Sequence, residues 1–180
     1  FGTGLPEPGE GVSEQLLADL GLAAERKKVA RLVFAVLDRR LQPVARIRAK
    51  ALDKGFKPEA VDAVLEQMAD RGLYSDRHFA EAYCRDALAR TPVGRRYLVG
   101  KLTRLQVPSG VANQVAGEIL ERKMEEDLAV KAATARWRRI SDPADQKSLA
   151  RVVRFLQGRG FDAGLANRTA CRTRPRGEDE

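Results

Sequence analysis

The stretch LDKGFKPEAVDAVL, residues 52–65, returns twice along the chain, as TRLQVPSGVANQVA at 103–116 and QGRGFDAGLANRTA at 157–170. Setting Phe56, Val107 and Phe161 in register places Ala51, Leu102 and Leu156 five residues earlier and Ile47, Leu98 and Val152 nine residues earlier. Offsets of nine, five and zero differ by four or five, so these apolar residues share one face of a helix that runs into a cap. The anchors lie 51 and 54 residues apart, a period long enough for three helices. The Gly before Phe56 and Phe161 suits a left-handed C′ residue, after which the aromatic packs back on the helix. Gln106 stands where the other units have Gly. A left-handed Gln there costs on the order of 1 kcal/mol, or else this helix ends differently.

Outward from these caps the periodicity is helical throughout. Val33, Val36 and Leu37 share a face, as do Val61, Val64, Leu65 and Met68, then Phe79, Ala80, Tyr83, Ala87 and Leu88, and Val152, Val153 and Leu156. Breakers fall at Pro43, Gly55–Pro58, Gly72, Pro92–Gly94, Pro108–Gly110, Asp142–Pro143 and Gly160. Helix starts are signalled by Ser75 before Asp76 and by Asp142 before Pro143. The pattern predicts an all-α chain of about nine short helices, in three tandem three-helix repeats over 26–73, 74–124 and 125–171. Each trio has too few large side chains to bury an adequate core alone, so neighbours are expected to stack into an elongated curved array. Residues 1–12, with four Gly and two Pro, are expected to form a disordered acidic lead-in, and 172–180 a disordered charged tail.

Composition narrows the function. The 180 residues are 43% hydrophobic and 32% charged, values of a folded domain, while aromatics at 6% limit any mode built on many stacked bases. Two cysteines, Cys84 and Cys171, are too few for a disulfide framework. No apolar run reaches membrane-span length, and residues 1–25 hold five acids and no Lys or Arg, unlike a secretory leader. A cytoplasmic protein with no membrane partner follows as the expectation.

The net charge of +8 is uneven: the −5 of residues 1–25 leaves +13 for the rest. Residues 26–56 balance at +8 and residues 85–104 at +5. These cations crowd the second helix of successive repeats, beside the apolar seam. Arg46, Arg48, Lys50, Arg95, Arg96, Lys101, Arg104 and Arg151 are therefore the candidate residues for binding a filament or nucleic acid through phosphates, with little sequence readout. A solvated helix face is the competing account of the same charges.

Reaction chemistry has no evident seat. His78 is the only histidine and lacks partners at metal-ligand spacing. Cys84 lies on the apolar face with Phe79 and Leu88, as a small buried hydrophobe does. Asp76 and Glu81 sit near a helix start, where acids are favoured regardless of function. Trp137, between Arg136 and Arg138, is expected to pack at a helix end, with base stacking as the alternative. No phosphate-binding loop, dinucleotide fingerprint or nucleophile triad occurs. A non-enzyme without cofactor or metal is expected.

LYSDRHFAEAYCRDALAR, residues 73–90, resembles the RecX family of recombinase regulators, with Gly72, Leu73, Asp76, Phe79, Ala80 and Tyr83 taking the family's motif positions. RIRAKALDKGFKPEAVDAVLEQMADRG at 46–72, GRRYLVGKLTRLQV at 94–107 and LARVVRFLQGRGF at 149–161 resemble its three repeats, so that residues 30–170 are covered. Ser75, His78 and Gln106 depart from the family pattern. The resemblance implies a modular three-repeat helical protein that binds RecA, free or on its single-stranded DNA filament, and restrains strand exchange and ATP hydrolysis in DNA repair and the SOS response. Some members bind DNA directly. It also implies that Asp76, Phe79 and Tyr83 fix the geometry between repeats. A monomer is expected. Two other readings stay open: a sequence-specific or architectural DNA-binding protein, and a generic helical scaffold for other proteins.

Overall fold

The computed structural model describes residues 13–175, and within them every regular element is an α-helix. The order is α1 (Glu14–Arg39), α2 (Val44–Asp53), α3 (Pro58–Asp70), α4 (Asp76–Arg90), α5 (Arg95–Arg104), α6 (Ser109–Ile119), α7 (Arg122–Trp137), α8 (Gln146–Gly158) and α9 (Ala163–Arg172). The all-helical class follows from the 3.6-residue periodicity, and no described segment forms a strand. The lead-in expected over 1–12 and the last five residues of the expected tail lie outside the described residues. Inside that tail, Arg172 closes α9 and Arg174 Nε donates to the Pro143 carbonyl at 2.6 Å.

The chain divides into two compact units, one ending at Ser75 and one beginning at Asp76. In the first, α1, α2 and α3 pack on one another around Val29, Val33, Ile47, Ala51, Ala60 and Val61, all essentially inaccessible. α1 starts at Glu14, twelve residues before the expected start of the first repeat. Ser13 accepts the Leu16 N–H at 3.2 Å and Glu14 occupies the first turn, so the start is capped in both hydrogen bonding and charge. Glu25 Oε1 accepts the Lys57 N–H at 2.7 Å, fixing the entry to α3 against α1. The Tyr74 hydroxyl donates to the Gln42 carbonyl and ties the end of the unit to the loop before α2.

The second unit holds α4–α6 and α7–α9, each trio packed in the same pairwise pattern as the first. The α7–α9 core is Trp137, Val152, Leu156 and Phe161 set among the alanines 129, 132, 133, 166 and 170.

All three caps anticipated from the repeat close in one way. The N–H of Phe56, Val107 and Phe161 returns to the carbonyl of Ala51, Leu102 and Leu156 at 3.3, 3.1 and 3.2 Å. Those of Gly55, Gln106 and Gly160 return to Leu52, Thr103 and Gln157 at 2.8–2.9 Å. This paired closure is the Schellman arrangement, and it needs a left-handed residue at C′. Gly55, Gln106 and Gly160 have φ of 84°, 69° and 83°, so Gln106 takes the left-handed conformation its neighbours reach with glycine. The apolar offsets follow as geometry, because residues five and nine before the anchor are the buried face of the helix being capped.

One helix start differs from expectation. The Asp142 carboxylate accepts the N–H groups of Ala144 and Asp145 at 2.9 and 3.2 Å, which makes a turn rather than a helix. Asp145 then caps α8 by accepting from Lys147.

Candidate nucleic-acid interface

Where the two trios of the second unit meet, the contact is made by main chain. The Gly94 N–H donates to the Arg159 carbonyl at 2.9 Å and the Arg96 N–H to the Gly160 carbonyl at 3.2 Å. So close an approach requires bare glycines. A Cβ on Gly94 would stand 2.4 Å from the Gly160 carbonyl oxygen, and one on Gly160 would stand 2.1 Å from the Tyr97 nitrogen. The Glu125 carboxylate accepts the Arg95 N–H at 2.8 Å, which answers one of the unpaired donors at the start of α5. The C-terminal end of α8 is thereby set against the N-terminal end of α5.

The joint orients the cations of α5. Arg96 pairs with Asp162 at 2.9 Å while 70% of its side chain stays exposed. Asp162 also accepts the N–H groups of Gly164 and Leu165 at the start of α9, and these backbone bonds, with Arg96, hold its carboxyl below the usual range. Lys101 Nζ lies 5.4 Å from the centroid of the Tyr97 ring, over its face. Arg104 is exposed. Arg96, Lys101 and Arg104 line one open depression of about 340 Å³, with Gly100, Gln157, Gly158 and Gly160.

The other candidates are placed differently. Arg95 is part of the packing: its guanidinium donates to the Asn113 carbonyl at 2.9 Å and covers Gly117, where a Cβ would meet it at 2.6 Å. Arg48 is held bidentately by Asp62 at 2.6 and 2.9 Å, clamping α2 to α3. That hydrogen-bonded pair raises the Arg48 pKa and lowers that of Asp62. Arg46 and Lys50 are exposed one turn apart on α2, without an ion-pair partner among the described residues. Arg151 is exposed on α8, outside the depression. Asp76 opens α4 and Phe79 is buried in it. The Tyr83 ring rests on Phe79 at a centroid distance of 6.0 Å.

A second depression, of about 440 Å³, carries residues that composition did not single out: Tyr97, Arg90 and Arg159 with Tyr83, Asp86 and Thr91. Arg159 is fixed there, its guanidinium 4.7 Å from the Phe155 ring centroid and bonded to the Pro92 carbonyl at 3.3 Å. Its only trace in the sequence was its place beside the third cap glycine.

Among the described residues, the candidates for covalent chemistry do not gather into one site. His78 is exposed, and no group of three or more His, Cys, Asp or Glu among the described residues could hold a metal ion. Burial pushes the Cys84 thiol up to about 11 from an ordinary 9.0, which removes the nucleophilic thiolate at neutral pH. Cys171 is exposed on α9. Ellman's reagent is therefore expected to titrate one thiol in the folded protein and two after denaturation. Between about pH 9 and 11 the unfolded chain releases the Cys84 proton and the folded chain retains it, so stability falls as pH rises through that window. Rapid labelling of both cysteines in the native state would contradict this placement.

No helix among the described residues is long and apolar enough to cross a membrane. Residues 124–169 match the family model described as the third three-helix domain of RecX. The regulatory protein RecX of Halorhodospira halophila is 33% identical over 157 residues, which covers 86% of this chain and 92% of that protein. That of Amycolatopsis mediterranei is 30% identical over 149 residues, covering 83% and 85%. In architecture the chain is similar to a crystal structure of RecX from Lactobacillus salivarius, with TM-score 0.76, 15% identity and 84% and 97% of the two chains covered. At that identity the likeness speaks for the fold alone.

Proposed function

From the premise that the chain belongs to the RecX family of regulatory proteins, we propose that it binds RecA, on its single-stranded DNA filament or free, and restrains the ATPase and recombinase activities of that protein. It does so in the cytoplasm, as a monomer with no reaction of its own, within DNA repair and the SOS response. The observation that carries this reading is the convergence of Arg96, Lys101 and Arg104 on one open face of α5. Such a cluster attaches to a polyanion without needing a base sequence. Arg46 and Lys50 on α2 add a second point of attachment, and Arg151 on α8 a third. Asp76, Phe79 and Tyr83 serve geometry.

The test is the DNA-dependent ATPase of a cognate RecA titrated with this protein. Inhibition is expected, and it weakens in the triple variant Arg96→Gln/Lys101→Gln/Arg104→Gln. For binding to single-stranded DNA, removing three phosphate contacts should reduce the slope of log affinity against log salt by about 2. Absence of both inhibition and filament binding by the folded protein would refute the regulatory reading.

A further inference from the structure

Tyr97 lines both depressions of the second unit, so the cationic one and the tyrosine-lined one meet at a single side chain. Their chemistries differ in kind. On one side stand Arg96, Lys101 and Arg104, and on the other Tyr83 and Tyr97 with Arg159. A strand of nucleic acid presents the same division in every residue, an anionic backbone with a flat ring attached. We propose that the paired depressions are one binding site for a nucleotide of single-stranded nucleic acid, its phosphates on the Arg96–Lys101–Arg104 side and its base against Tyr97 in the Tyr83–Arg159 depression. The inference rests on the reading that α5 meets nucleic acid, and it adds what that reading lacks, a place for the base.

Three observations support it. First, the walls are preformed. Tyr83 leans on buried Phe79, Arg159 is pinned by Phe155 and by the Pro92 carbonyl, and the Tyr97 backbone sits against Gly160. A preformed wall loses little freedom when a ring stacks on it. Among the described residues Arg90 pairs with Asp86, one turn away at the surface, and can exchange that weak pair for a phosphate.

Second, the floor of the cationic side lacks side chains that the fold itself would allow. Gly100 lies inside α5 and Gly158 ends α8, neither has positive φ, and an added Cβ on either would meet no atom within 4 Å. Helix propensity disfavours glycine at Gly100, and intramolecular packing gives no reason for it. Bare backbone beside three cations admits a phosphate closely. Third, the aromatic side excludes a duplex, whose bases are stacked inward, whereas a single strand can turn a base out onto a ring.

The experiment measures fluorescence anisotropy of the full chain with an oligodeoxythymidine and with an abasic strand of equal length. Wild type is expected to favour the thymidine strand about tenfold. Tyr97→Leu should abolish that preference, lowering thymidine-strand affinity to the level of the abasic strand. Gly100→Ala should raise the melting temperature while weakening both strands, so that lost binding does not reflect lost structure. Equal wild-type affinity for the two strands, an unaltered preference in Tyr97→Leu, or displacement of the oligonucleotide by a poly-glutamate peptide at equal charge concentration would overturn the site. The triple variant at Arg96, Lys101 and Arg104 tests the premise separately. If it binds both strands like wild type, the electrostatic reading of α5 fails, whatever the tyrosine does.

Discussion

Gly160→Ala is expected to lower the melting temperature of the second unit by roughly 15 °C, far more than the same change at another glycine of equal backbone conformation. At φ 83° an alanine pays about 1 kcal/mol for the left-handed region. Its Cβ would also stand 2.1 Å from the Tyr97 nitrogen, 2.5 Å from its Cβ and 2.7 Å from its Cα. Most of that contact is backbone, which cannot rotate away, so α5 must shift from α8 and the bonds Gly94 to Arg159 and Arg96 to Gly160 lengthen. Overpacking of this kind adds about 1–3 kcal/mol. At 4–8 °C per kcal/mol for a unit of this size, the drop follows. Gly55 is the control, since its φ is 84° but an added Cβ meets nothing within 4 Å. Gly55→Ala should cost only the conformational term of about 1 kcal/mol. At Gln106, with φ 69° already borne by a side chain, Gln106→Gly should return up to about 1 kcal/mol. Thermal and chemical unfolding of the three variants decide the matter; equal losses at Gly160 and Gly55 would mean that the close approach of α5 and α8 is not a feature of the protein in solution.

Trp137→Ala should be the costliest single change in the α7–α9 core, at about 4 kcal/mol. The indole is 2% exposed, and its Nε1 donates to the Ala170 carbonyl at 3.2 Å in a buried position. Truncation opens a cavity between helices whose facing residues are mostly alanine, so little nearby can relax into it. It also removes the donor to a buried carbonyl. Urea unfolding should show a lower midpoint at unchanged slope. Trp137→Phe keeps most of the volume and should cost about half as much. Nucleic-acid affinity of the folded protein should be the same in Trp137→Phe and wild type, because a buried indole offers no face to a base. Lower affinity of Trp137→Phe at full folding would restore the stacking role that its arginine neighbours suggest.

The parts of this structure that were legible in the sequence are the parts decided within one helix turn. A Schellman closure needs a left-handed residue, an apolar residue after it and an apolar residue five before. Those requirements are written at 51–56, 102–107 and 156–161, and they survive even where Gln106 obscures the glycine signal. The α5–α8 joint is written nowhere locally. Gly94 lies 66 residues from Gly160, and in sequence it is one more breaker after Pro92. Charge was legible as an amount but not as a disposition. Arg95 and Arg48 count as cations equal to Arg96 and Lys50, yet the first covers Gly117 and the second is clamped by Asp62. Asp142 before Pro143 reads as a helix start because the Asx turn it makes uses the same residues as an N-cap.

The joint between α5 and α8 has an evolutionary corollary. The two peptide hydrogen bonds of this seam ask nothing of side-chain identity, except that Gly94 and Gly160 carry none, while Glu125, Arg159 and the Arg96–Asp162 pair brace it. Substitution elsewhere on the two helices can therefore drift while their mutual register stays locked, and a lineage could exchange Lys101 and Arg104 for other chemistry without redesigning its scaffold.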